Sequence, residues 1–214
     1  MDTMNKLMSQ LLKQTRHPTG WFGELLLRGM NIGHSKLTAW GLKHISIEKH
    51  YTIFDVGCGG GETVRKLAMM ATEGKVYGID FSEESVAISR RTNKQLIQAG
   101  RVEIRHGSVS CLPFFDDMFD LATAVETHYF WPDLVSDMQE VLRVLKLSGK
   151  LLLIGEAYKG GKHDLNQKWV ELGNIAYYSG DELSKLFSTA GYSDVQVFEE
   201  YDRGWICVIG RKPS

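Results

Sequence analysis

From Tyr51 onward, short apolar runs alternate with stretches of helical periodicity. Tyr51–Val56 (YTIFDV) reads as a strand and residues 62–71 (ETVRKLAMMA) as a helix. Lys75–Asp80 (KVYGID) is a second strand ending, like the first, near an acid. Ser82 is a fitting N-cap, with Glu83 and Glu84 placed to favour the positive end of a helix predicted to run to about Gln98, where Gly100 stops it. Residues 101–106 (RVEIRH) alternate apolar and polar, whereas 119–125 (FDLATAV) form the continuous apolar run of a strand buried on both faces. After Pro132 and Asp133, the residues Leu134, Met138, Val141, Leu142 and Leu145 form one helical stripe. A strand at 150–156, a helix over 180–190 and a hairpin around EEYDRG complete the chain.

This alternation predicts an α/β fold: a Rossmann-like, seven-stranded, mostly parallel sheet, helices on both faces, and a C-terminal hairpin that adds one antiparallel strand. Residues 1–50 stand apart as an N-terminal helical cap or lid, and 51–214 as the main domain, with 157–179 a substrate-cover insertion. The cap holds seven Lys/Arg against three Asp/Glu, so the net charge of −1 divides into +4 there and −5 in the rest. The near-neutral total gives no general case for a nucleic-acid partner. Three scattered cysteines, Cys58, Cys111 and Cys207, suggest neither a disulfide framework nor a metal site. No apolar segment approaches the roughly 20 residues of a membrane span. These features predict a cytoplasmic protein without stable membrane insertion. The apolar face of residues 1–14 leaves core packing, a homodimer contact and a surface anchor as alternatives.

The candidate chemistry lies in IFDVGCGGGETV. Asp55 closes the apolar run, and Gly57, Gly59, Gly60 and Gly61 follow within five positions. Glycine costs backbone entropy, so such density needs a conformational or steric reason. At the carboxyl end of a doubly wound strand, the reason is expected to be close approach to a ligand. A dinucleotide fingerprint starting at Gly57 would require a glycine where the chain has Glu62. An acid ahead of the loop suits a cationic ligand better than a pyrophosphate.

DVGCGGG at 55–61 resembles the first motif of class I S-adenosylmethionine-dependent methyltransferases. GIDFS around Asp80, HGSVSCLPFFDDMFD at 106–120 and VLRVLKLSGKLLLIGE at 141–156 resemble the later motifs in order. The resemblance extends from about Tyr51 to Gly210. It is nearest to the small-molecule branch that includes ubiquinone and menaquinone biosynthesis enzymes.

The resemblance implies S-adenosyl-L-methionine as cofactor, S-adenosyl-L-homocysteine as product and no metal. It implies that Gly57, Gly59 and Gly61 admit the cofactor, that Asp80 accepts from its ribose hydroxyls, and that Phe81 and Val109 flank adenine. Asp55 has two readings, a turn-capping acid and a partner of the cofactor's ammonium. Ser108 stands where many relatives carry Asp, offering a neutral acceptor to the adenine amino group. Glu126 is assigned to the cofactor's amino end or to orienting a neighbour.

His128 is the candidate base in the loop after the fourth strand, where the methyl points in this fold. Trp21, Met30, His34, Tyr129, Trp131, Tyr158 and Tyr177 are candidate substrate-pocket residues, set against simple packing of a helical cap. The expected partner is a small molecule. The chain lacks the Asn-Pro-Pro-Tyr or Asp-Pro-Pro-Tyr tetrad expected for exocyclic amines of nucleic-acid bases. A protein substrate and a non-catalytic cofactor sensor remain the alternatives.

Overall fold

The computed structural model describes residues 35–162, 164, 170 and 177–214. Seven strands form one sheet: β1 (Thr52–Val56), β2 (Lys75–Asp80), β3 (Val102–His106), β4 (Phe119–Val125), β5 (Leu145–Gly155), β6 (Ser193–Glu200) and β7 (Trp205–Arg211), in the order β3-β2-β1-β4-β5-β7-β6. β3, β2, β1, β4 and β5 pair in parallel, and β7 pairs antiparallel with both β5 and β6. The fold is therefore the one the sequence predicts, a mostly parallel sheet with one antiparallel strand from the C-terminal hairpin.

Side-chain alternation along the strands separates two cores. Ile53, Leu121, Leu152, Ile154 and Cys207 share one face with Val64 and Leu67 of α1 (Glu62–Met70) and Val86 of α2 (Glu83–Thr92). Phe54, Ala122, Leu151, Leu153 and Val208 face the other way, onto Met138 and Val141 of α4 (Leu134–Val144) and Leu183 and Phe187 of α5 (Gly180–Thr189). Removing a side chain such as Phe54 or Phe187 from water stabilises the fold by about 1.5–3 kcal/mol before cavity costs. The continuous apolar character of β1 and β4 follows from burial on both faces.

The helix starts are chemically marked. Ser82 accepts from Ser85 N, and Asp133 accepts from Ser136 N. Ser179 and Glu182 form a reciprocal capping box. The helix expected to continue to Gln98 instead breaks at Asn93, before the short α3 (Lys94–Gln98). The Asn93 amide donates to Gly61 O and Ser89 O, so a side chain that caps and bridges replaces one that would continue the helix. Ser148, at φ +63, bulges the start of β5, so Leu121 of β4 pairs with Lys150.

Residues 35–41 are helical and 42–44 form a 3-10 turn. This part of the expected cap joins the sheet core: Leu37 and Leu42 are buried with Ile154 and Cys207. Cys207 Sγ points at Gly41 O, and a Cβ on Gly41 would collide with Ile154. His44 stacks on Phe198 of β6 at 4.1 Å, and Trp40 meets Trp205 of β7 at 5.8 Å. No helix among the described residues is long and apolar enough to cross a membrane.

Candidate active site

The strand order reverses between β1 and β4, so their carboxyl ends diverge and open a crevice there. A cavity of about 230 Å³ occupies it, walled by the glycine loop, the ends of β2 and β4, the 107–109 loop and the helical residues Ser35 and Thr38.

The glycine loop turns through left-handed conformations at Gly57 (φ +68), Gly59 (φ +48) and Gly61 (φ +82). Two of these glycines are also required by the protein itself. A Cβ at Gly57 would lie 2.7 Å from Thr127 Oγ1, and one at Gly61 would collide with Ser89 and Asn93. The close approach expected toward a ligand is thus at least partly an approach to β4 and α2.

Asp80 ties this loop to the next. Its Oδ2 accepts from Gly59 N and its Oδ1 from Ser82 N, both at 2.9 Å. Each oxygen keeps capacity for a second bond into the cavity. Burial raises the Asp80 pKa, while the backbone donors pull it down. Phe81 and Val109 line the cavity on either side, and Ser108, exposed at its rim, accepts from Ser110 N at 3.2 Å.

Asp55 lies deeper, 2% exposed, accepting from Thr123 Oγ1 at 2.6 Å. Burial, reinforced by the Asp80 charge and opposed by the Thr123 bond, raises its pKa to about 7. Glu126, with φ +58, ends β4 at the far wall. Its Oε1 accepts from Glu156 N and from the Tyr129 hydroxyl. Burial first, and the Glu156 charge second, raise the Glu126 pKa to about 8.

Among the described residues the cavity wall carries four acids, Asp55, Glu62, Asp80 and Glu126, and one cation, Lys66. Lys66 Nζ donates to Ser35 O at 3.1 Å and approaches Ser35 Oγ at 3.4 Å. The neighbouring Glu62 pairs with Arg65. This is a site short of positive charge, with two carboxylates that carry protons at or above neutrality.

The structure departs from the expectation at His128. The residue is 2% exposed, is not part of the cavity wall, and stacks against Tyr129 at 3.9 Å between ring centres. Burial lowers its pKa to about 3, so it is a weak base in a packed position. A 3-10 turn, His128–Phe130, rotates it inward.

Tyr129 is also buried; its hydroxyl lies 3.0 Å from Ala157 O and 3.3 Å from Glu126 Oε1, behind the wall. Tyr158 is buried and Tyr177 half-buried, and neither reaches the cavity. Trp131 does: it lines the wall and donates from Nε1 to Thr127 Oγ1 at 2.8 Å. Trp21, Met30 and His34 lie outside the described residues, as does most of 163–176.

Sequence reasoning missed Ser35, Thr38, Glu62, Thr63, Lys66 and Thr127. For Glu62 and Lys66 a signal existed. They are spaced i and i+4 on the first turns of α1, beside the glycine loop, and share one helix face. Ser35 and Thr38 carried no such signal, because they reach the cavity only through long-range packing of the chain's beginning on the sheet.

A family model described as a methyltransferase domain matches residues 53–149. Over 207 residues the chain is 28% identical to a demethylmenaquinone methyltransferase of Shouchella clausii, covering 80% of this chain and 83% of that protein. A solved structure of an S-adenosylmethionine-dependent methyltransferase from Aquifex aeolicus superposes with TM-score 0.71 at 21% identity, covering 95% and 97% of the two chains. A chain of the complex between the Haloferax volcanii Trm112 methyltransferase activator and a methyltransferase superposes with TM-score 0.77 at 21% identity, covering 88% and 94%. The fold, the order of the motifs and the domain match over residues 53–149 support a class I S-adenosylmethionine-dependent methyltransferase. The chain is an S-adenosylmethionine-dependent enzyme of the methyl-transferring kind.

Proposed function

We propose that the chain transfers a methyl group from S-adenosylmethionine to a small-molecule acceptor in the β1/β4 crevice. The observation that carries this reading is the charge of the cavity, four acids against one lysine among the described residues, around a glycine loop held by Asp80. A ligand bearing a sulfonium and an ammonium supplies the positive charge that this acidic wall, Asp55 above all, lacks. The residues present therefore fit the cofactor, which when bound supplies a methyl group on positively charged sulfur.

The chain's own residues would then divide the work. Asp80 takes the ribose hydroxyls through its two oxygens, and Phe81, Ser108 and Val109 receive the adenine. Gly57, Gly59 and Gly61 set the loop's course, and Asp55 supports the cationic end from below. Thr127, Phe130, Trp131 and Ser35, which line the cavity, would hold the acceptor in line, the positioning that supplies much of the rate in such displacements. The reaction as assigned needs no metal, and no group of three or more His, Cys, Asp or Glu side chains among the described residues is arranged to hold one.

The relatives named for demethylmenaquinone suggest a reduced, electron-rich aromatic ring as the first acceptor to try. The test uses methyl-labelled S-adenosylmethionine with a short-chain reduced demethylmenaquinone, and in parallel with a cell extract separated into small-molecule and protein fractions. Label in the quinol, or in one small compound of the extract, supports the reading. Label confined to protein, or bound cofactor without any transfer, overturns it.

A further inference from the structure

We propose that Glu126, and not His128, is the residue that takes the acceptor's proton during methyl transfer. The proposal rests on the small-molecule methyl transfer argued above and adds the identity of its base.

Four observations carry it. Glu126 lines the cavity, whereas His128 does not. Glu126 ends β4 in the crevice with φ +58, a conformation that costs a non-glycine residue on the order of 1–3 kcal/mol and persists where surrounding structure enforces it. The enforcement is visible: Oε1 accepts from the Glu156 N–H and lies 3.3 Å from the Tyr129 hydroxyl, whose oxygen is held by the Ala157 N–H at 3.3 Å and whose one proton is shared between Glu126 Oε1 and Ala157 O. The second oxygen, Oε2, has no hydrogen bond among the described residues and is left for the cavity. One oxygen anchored and one presented is the arrangement a positioned base needs.

The electrostatics agree. The titratable groups packed against Glu126 are Glu156 from the end of β5 and Tyr129 from the turn after β4. Burial first, and the Glu156 charge second, raise the Glu126 pKa to about 8, which gives its carboxylate more proton affinity than an ordinary glutamate. Burial holds the Tyr129 hydroxyl well above its ordinary pKa, so it stays a donor. Asp55 and Lys66 line the same cavity, but Asp55 sits beneath the glycine loop with Thr123, and Lys66 is turned toward Ser35.

The step balances. An electron pair of the acceptor forms the new bond to the methyl carbon, and the carbon–sulfur bond breaks with its pair left on sulfur. The acceptor's O–H or ring C–H proton passes to Oε2 of Glu126 in its ionised form, the fraction of which grows as pH approaches 8, and from there to solvent. The carboxylate gains the proton that the newly methylated atom loses.

The test compares the wild type with Glu126→Gln, whose amide oxygen can still accept from Glu156 N. Calorimetry with S-adenosylhomocysteine is expected to give affinities within about threefold of each other, while labelled transfer to the reduced demethylmenaquinone, or to the extract compound, falls at least ~100-fold. Transfer within about fivefold of wild type, or a tenfold loss of S-adenosylhomocysteine affinity with turnover intact at saturating cofactor, overturns the proposal.

If the wild type methylates no acceptor, the functional reading fails separately. Carbon-13 NMR of the glutamate side-chain carboxyls then decides this one. A signal titrating above neutrality, absent from Glu126→Gln and retained with S-adenosylhomocysteine bound, supports the base. No such signal, or its collapse to ordinary carboxylate behaviour when S-adenosylhomocysteine binds, identifies Glu126 as a cofactor contact and overturns it.

Discussion

The two walls of the crevice are built by different means. On the β1–β2 side the site is mostly backbone: three left-handed glycines, and an aspartate whose oxygens are spent on main-chain N–H groups within 21 residues of one another. On the β4–β5 side it is mostly side chains, some paired within one loop, as Glu126 with Tyr129 and Trp131 with Thr127, and others brought from farther along the chain, as Glu156 N to Glu126 and Ser35 through the packing of residues 35–44 on β5, β6 and β7. A wall of backbone geometry suits a ligand that never changes. A wall of side chains is the part that can be re-specified for a particular acceptor while the fold stays the same.

The sharpest way to break this contrast is Asp80→Ala. It removes two hydrogen bonds to a charged group that hold the loop, and both proposed ribose contacts, each interaction contributing about 1.5–3 kcal/mol. S-adenosylhomocysteine affinity by calorimetry is expected to fall by about 100-fold or more. Retention of near-normal affinity would show that the backbone wall does not depend on this acid.

Gly57→Ala comes next. The new methyl would stand 2.7 Å from Thr127 Oγ1 at a φ of +68, so either the loop or the end of β4 must move. The expected cost is about 1–3 kcal/mol, or a melting temperature lower by roughly 2–10 °C for a chain of this size. A thermal melt checks it, and an unchanged midpoint would mean that the two walls are not in contact.

The buried carboxylates give a pH signature of intermediate size. Asp55 and Glu126 have folded-state pKa values of about 7 and 8, above their ordinary 3.8 and 4.5. The folded protein therefore keeps protons that the unfolded chain has released, so their stabilising contribution is full below about pH 4 and is lost as pH rises toward 8. The melting temperature attributable to these groups should fall over that window. Asp55→Asn and Glu126→Gln should each flatten the slope, and S-adenosylhomocysteine should stabilise more at pH 8 than at pH 5.5, because its ammonium meets an Asp55 carboxylate already free of its proton. A slope unchanged by both variants would contradict the assignment.

The smallest effect is expected from His128→Ala. The loss of a ring packed on Tyr129 should lower the melting temperature by a few degrees, about 2–4 °C per kcal/mol lost. Turnover of the correctly folded fraction should stay within about twofold of wild type, since the removed ring does not line the cavity.

The same contrast explains what was legible beforehand. The strands, the N-cap at Ser82, the helix start after Asp133, the glycine loop and Asp80 were readable because each is written in a few adjacent residues whose types have one dominant physical use. The break at Asn93 was not, since it depends on an amide reaching Gly61, 32 positions away. His128 is the clearest case on the other wall. The sequence marks it as a titratable residue in the right loop, but a 3-10 turn directs it inward and gives the cavity to Thr127, Phe130 and Trp131 instead. Residue type and loop position suggested a base; side-chain direction, which a short irregular loop does not encode by periodicity, packs the ring away from the cavity.

The division between the walls is tested most directly by S-adenosylhomocysteine calorimetry on the wild type, Asp80→Ala and Glu126→Gln side by side. Loss of binding in Asp80→Ala with binding preserved in Glu126→Gln is the predicted result. An equal loss in both variants would contradict it, showing that the β4 wall is part of the cofactor's own site.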